Sequence, residues 1–148
     1  MAFHLRAATD RDLTFARTLT HEAMNGYYTQ YGLLWSNDGF DTAWAGRENW
    51  LICRDDSVLG FVSLSRDSRA LYIRELHLLA SCRKQGAGSW VLEQMALKAC
   101  AQGLLRAPST FVFTLCVGFN ASYFTKNFLR QAKSLSFLPQ TPCSRANA

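Results

Sequence analysis

The stretch Arg83-Lys84-Gln85-Gly86-Ala87-Gly88-Ser89 constrains the fold more than any other part of the chain. Before it, Ala70–Leu79 is rich in apolar residues at successive positions, the pattern of a central strand covered on both faces. After it, Ser89 to Gln102 contains no Gly or Pro and sets Val91, Leu92, Met95, Ala96, Ala99 and Cys100 on one side, which predicts a helix. Gly103 stands where a helix C-cap is expected. The polar segment Ser81 to Gly88 therefore joins a buried strand to a helix. Its glycines allow a tight turn with exposed amides. The helix start adds unpaired N–H donors and the positive end of the dipole. With Arg83 and Lys84 beside them, these groups suit a phosphate or pyrophosphate. An ordinary strand–helix loop can carry the same two glycines, so the pair alone does not decide. A Walker loop is a poor fit, because no Lys follows Gly88. A dinucleotide fingerprint is a poor fit too, because Val91 occupies its third small position.

The rest of the chain places this unit in a larger order. Phe3–Arg6 reads as a short edge strand, and Asp10-Arg11-Asp12 as a helix start with acids at the positive end. Leu13, Phe15, Ala16, Leu19, Ala23 and Met24 then recur at helical spacing. The segment Asn25 to Asp41 is rich in Gly, Tyr and Asn and reads as a loop with a short helix after it. Asn49–Arg54 and Val58–Ser65 flank a turn at Asp55-Asp56-Ser57, which predicts a hairpin. Arg66 to Arg69 is a further turn. Beyond the glycine loop and its helix, Thr110–Val117 reads as a strand, Ala121–Leu135 as a helix and Leu135–Leu138 as a short strand. The expected fold is α/β (α+β): a mixed sheet with helices on both faces, in one domain over residues 1–138, followed by a loose polar tail over 139–148.

Composition narrows the class. At 148 residues the chain fits a single domain, and an apolar share of 49% with 18% charged residues is that of a soluble globular protein. No apolar run approaches the ~18–20 residues needed to cross a bilayer, so no membrane partner is expected. The N-terminus turns polar at once and has no signal-peptide core, which points to the cytoplasm. Cys53, Cys82, Cys100, Cys116 and Cys143 are scattered and form no CxxC pair, so no metal site is expected. Cys53, Cys100 and Cys116 lie in apolar runs and read as buried hydrophobes. A net charge of +5 suits an anionic ligand, and suits solubility equally well. The basic residues form no long run and lack interleaved aromatics, so no nucleic-acid partner is expected.

The run Arg83 to Gly88 resembles the R/Q-x-x-G-x-G/A signature of the GNAT superfamily of N-acetyltransferases. Ile73-Arg74-Glu75-Leu76-His77-Leu78-Leu79 is similar to that family's central strand, and Gly88 to Glu93 to the start of the helix after it. The resemblance covers Phe3 to about Val117. It implies a twisted, mostly antiparallel sheet of about six strands. It implies acetyl-CoA as co-substrate, with Arg83, Lys84, Gln85, Gly86, Ala87, Gly88 and Ser89 around the pyrophosphate. His77, Leu78 and Leu79 would pair with the pantetheine arm, and the N–H of Leu78 would polarise the thioester carbonyl. An acetyl group would pass to an amine by direct attack, without a covalent enzyme intermediate. Tyr123 to Phe128 matches the family's Y-x-x-x-G-F pattern with Asn127 in place of Gly, which makes Tyr123 the candidate acid. Asn120 resembles the family's Asn at the start of that helix, but precedes Tyr123 by about one helical turn less than is usual. The chain also ends where the family has a closing strand pair, so the C-terminal strands are expected to be missing or altered. A regulatory module that binds CoA without turnover is the alternative this departure leaves open.

The amine must lose a proton to attack, and the thiolate must gain one to leave. Glu75 is the first candidate base; on an extended strand it shares a face with Ile73 and His77. An ion pair with a nearby Arg is an equal alternative for it. His77 is the second candidate, because its side chain titrates near neutrality. A satisfied core histidine is the plainer reading of it. A bulge, common in this strand in the family, would change which of the two faces the site. Tyr27, Tyr28, Tyr31 and Trp35 offer aromatic walls for an acceptor pocket over Asn25–Asp41, with Glu22, Asp38 and Asp41 to attract a cationic amine. The acceptor partner would be a small-molecule or peptide amine, and a homodimer is among the assemblies open to the chain.

Overall fold

The computed structural model describes residues 2–68 and 71–103. Strand β1 (Phe3–Ala7) is followed by a single 3-10 turn and by helix α1 (Leu13–Gln30). Helix α2 (Asn37–Ala45) leads into β2 (Glu48–Arg54), β3 (Ser57–Arg66) and β4 (Leu71–Leu78). A 3-10 turn at Ala80–Cys82 precedes helix α3 (Ala87–Ala101). The strands form one antiparallel sheet in the order β1-β2-β3-β4. The expected order of elements is therefore present as far as α3, and the described strands meander. The further strands that a sheet of about six requires, and the expected elements from Thr110 onward, lie outside the described residues.

Alternation along the strands gives the sheet two apolar faces. Ile52, Val62, Leu64, Ile73 and Leu76 pack against Val91, Leu92 and Met95 of α3. Leu51, Cys53 and Phe61 face the other way, against Ala16 and Leu19 of α1 and Trp44 of α2. Helices thus cover both faces, as the doubly apolar β4 predicts. Cys53 is buried and free, as expected. Cys100 departs from expectation in being only half-buried. Among the described residues no helix is long and apolar enough to cross a membrane.

Two polar clusters fix the helices to the sheet. The Asp12 carboxylate accepts from the Thr9 amide at 2.8 Å and from Arg6 Nη2 at 3.0 Å, tying the start of α1 to β1. Burial alone would raise the Asp12 carboxyl, but these hydrogen bonds hold it below the usual carboxylate range. Glu48 accepts from Lys98 Nζ of α3 at 2.6 Å, from the Trp50 indole at 2.9 Å and from Arg66 at 3.1 Å. Burial again works against the charged form, and these donors overcome it, so Glu48 is also lowered.

The main departure lies between residues 25 and 41. Helix α1 runs on to Gln30, and α2 begins at Asn37 under a Ser36 cap that accepts from the Gly39 amide at 3.0 Å. The connection is short, spanning residues 31–36. Met24 is buried and Tyr27 and Tyr28 are half-buried, so ring packing extends the helix past Asn25 and Gly26, whose own propensities oppose it. Helix α3 likewise starts two residues before the expected Ser89, at Ala87.

Candidate functional site

The glycine loop grows out of the end of β4. The Leu79 N–H donates to Leu59 of β3 at 2.8 Å, and the chain then turns through Ala80–Cys82. Lys84 and Gly86 both take the left-handed conformation, at φ 60° and 89°. A side chain added at Gly86 would meet no protein atom within 4 Å, so its backbone conformation, not crowding, calls for glycine. Space lies open in front of it. The Trp90 N–H bonds the Gly86 carbonyl at 3.0 Å, closing the first turn of α3. The amides that begin this helix are those that lack intrahelical acceptors. Arg83, Lys84, Gln85, Gly86 and Ser89 are exposed. Gly88 is half-buried, and Ala87 is buried under the sheet, so it offers only its backbone. Left-handed turn, exposed cations and helix start therefore coincide, as an anion site requires.

Among the described residues no strand pairs with the far edge of β4, which leads into this loop. Because the Leu79 N–H is directed at β3, strand alternation turns the N–H and carbonyl of Leu78 to the opposite edge. Arg83 agrees with that orientation, since its Nε donates to the Leu78 carbonyl at 3.1 Å.

Glu75 and His77 come together on the face of β4 that looks toward α1 and α2. Ile73 does not join them, which corrects the expected face. The register passes from Ser63↔Glu75 to Leu64↔Ile73, so Arg74 is an extra residue in β4. This bulge reverses the alternation: Ile73 packs with Leu76 on the α3 face, while His77 contacts Phe61 on the other. Glu75 Oε2 lies 2.9 Å from His77 Nε2. An ionised carboxylate can only accept, so that nitrogen carries the proton when Glu75 is charged. The other oxygen, Oε1, lies 3.6 Å from Arg47 Nη1. The His77 side chain is 0% exposed and that of Glu75 19% exposed. Of the two, only the carboxylate reaches a surface from which an amine could approach.

Tyr27, Tyr28, Tyr31 and Trp35 form one cluster at the far end of α1. Tyr27 meets Tyr31 at 4.6 Å and Tyr28 meets Trp35 at 5.7 Å between ring centroids. His21 stacks on Trp35 at 5.0 Å. The row continues from Trp35 to Phe40 at 5.8 Å, from Phe40 to Phe61 at 6.4 Å, and from Phe61 to His77 at 5.6 Å. Tyr31 is exposed, so the rings run from the surface to the buried end of β4. Glu22 and Asp38 are exposed. Asp41 is not available to attract an amine, because Arg17 Nη1 holds its two oxygens at 2.9 and 2.7 Å. Sequence reasoning missed Arg47, Phe40 and Phe61 as parts of this region; Phe61 was legible only as an alternating strand residue, and Arg47 carried no signal. Tyr123 and Asn120 lie outside the described residues. Among the described residues no group of three or more His, Cys, Asp or Glu could hold a metal ion.

The sequence model of the acetyltransferase (GNAT) family matches residues 16–112, more than half of the chain. No curated protein matches the chain in sequence. The structure is similar to that of the ribosomal-protein-S18-alanine N-acetyltransferase of Escherichia coli, with TM-score 0.55 and 14% identity over 70% of this chain and 63% of that one. It is similar to the PaiA N-acetyltransferase of Thermoplasma acidophilum in complex with coenzyme A, with TM-score 0.54 and 16% identity over 86% of this chain and 89% of that one. A GCN5-related N-acetyltransferase of Rhodopseudomonas palustris gives TM-score 0.61 and 15% identity over 86% and 81%. Identities this low speak for the fold alone.

Proposed function

The chain belongs to the GNAT acetyltransferase family, and we propose that it moves an acetyl group from acetyl-CoA to a primary amine by direct attack. The observation that carries this reading is the left-handed turn at Lys84 and Gly86 that opens into α3 beside the outer edge of β4. The backbone of residues 84–89, with Arg83 and Lys84, would hold the phosphates of acetyl-CoA. His77, Leu78 and Leu79 would line the pantetheine arm. The Leu78 N–H would stabilise negative charge developing on the thioester oxygen.

Glu75 takes the proton that the ammonium form of the acceptor must lose. The nitrogen lone pair then forms the C–N bond, the C–S bond breaks, and its electron pair leaves with the sulfur. The sulfur gains one proton, for which Tyr123 is the candidate donor; the second proton of the nitrogen restores that donor, and the first passes from Glu75 to solvent. The acceptor, a small-molecule or peptide amine, would lie against Tyr27, Tyr28, Tyr31 and Trp35, whose ring faces attract a cation.

Free thiol released from acetyl-CoA in the presence of an amine panel tests the reading. The panel would hold alkylamines, polyamines, amino-acid amides and short peptides. Thiol release with a matching acetylated product is the expected result. Binding of acetyl-CoA with no acetylation of any amine would favour a regulatory CoA-binding module, and absence of binding would dismiss both.

A further inference from the structure

We propose that Arg54 is a positioning residue for the phosphate-binding loop, holding Gln85 from across the sheet so that the backbone around it is set before the ligand arrives. The inference rests on reading that loop as a CoA site. Arg54 ends β2, 31 positions before Gln85, yet its Nη2 donates to Gln85 Oε1 at 3.1 Å. The other end of the same amide donates to the Ser81 carbonyl at 2.9 Å. Gln85 is thus fastened at both ends. It stands between Lys84 and Gly86, the two residues in the left-handed conformation. Such a turn does not hold itself, least of all at Lys84, where a side chain disfavours it.

A second contact braces the same corner. The Arg54 guanidinium lies over the Phe3 ring, 5.8 Å from its centroid. The Phe3 ring in turn meets that of Trp90, in the first turn of α3, at 5.6 Å. One planar fork therefore fixes the loop through Gln85 and the helix start through Phe3 and Trp90. A lysine could not both stack and donate in this way. A loop set in advance spares the ligand the cost of ordering it, which raises affinity.

Calorimetric titration of the full chain with CoA and with dephospho-CoA tests the proposal. Arg54→Met keeps an unbranched stem and removes the guanidinium, and with it both the donor to Gln85 and the stack on Phe3. It should weaken both ligands about three- to tenfold, the worth of one hydrogen bond. Gln85→Ala should do the same, and the double variant should lose clearly less than the two single losses combined, as for two residues that share a contact. Unchanged affinity in Arg54→Met, additive losses in the double variant, or a loss seen with CoA but not dephospho-CoA would each overturn it, the last by showing direct phosphate contact. Should Arg54→Met fail to fold, Gln85→Ala carries the test at an exposed position, and wild-type affinity there overturns the proposal. A wild-type chain that binds neither ligand would instead remove the reading beneath it.

Discussion

Glu75 and His77 differ in access. His77 lies in the sheet with its Nε2 against one carboxylate oxygen, while Glu75 keeps partial exposure and an oxygen loosely paired with Arg47. On this account Glu75→Gln lowers turnover by ~10²-fold or more, within the usual range for a general base, with acetyl-CoA affinity nearly unchanged. The loss shrinks at high pH, where more of the amine is already neutral. Wild-type turnover across the pH range would rule Glu75 out. His77→Gln can still donate to Glu75 and His77→Leu cannot, so steady-state rates should fall further in the Leu variant. Equal losses, with Glu75→Gln still active, would make His77 the base. Strand alternation alone put both residues on one face, where they are. It also put Ile73 there, and the bulge at Arg74 moves Ile73 to the other face; a single extra residue in a strand leaves no mark in an apolar pattern.

At the scale of elements, the described strands and α3 were legible because each follows one period, and the loop between them because of its glycines. The second half of α1 was not, because Asn25, Gly26 and a run of tyrosines resemble a loop until their rings pack. The contacts of Glu48 with Lys98 and Arg66 lay beyond sequence reasoning as well, since they join positions distant in the chain. They carry a pH dependence. Asp12 and Glu48 are both lowered in the folded chain. Each therefore contributes stability that is present above the ordinary carboxylate range of about 4 and is lost as pH falls through the lowered folded value. Melting temperature plotted from pH 7 to pH 2 should fall less steeply for the double variant Asp12→Asn, Glu48→Gln than for the wild type. Parallel curves would show that these contacts add nothing to acid sensitivity.

The whole molecule joins two apolar faces through one sheet, and Phe61 is central to one of them. Its ring is fully buried against Trp44, Phe40 and His77. Phe61→Ala should cost about 3–5 kcal/mol in denaturant unfolding, as a large cavity in a close-packed core does. A change under about 1 kcal/mol would mean that this face is not packed as described. Beyond the end of β4 lies the loop of residues 84–89, proposed as the acetyl-CoA site. Titration of CoA into the wild type and into Gly86→Val and Gly88→Val tests that central claim most directly, with melting temperature as the check on folding. The account predicts binding by the wild type and none by either variant. Undiminished affinity in both variants, with the fold retained, would contradict it.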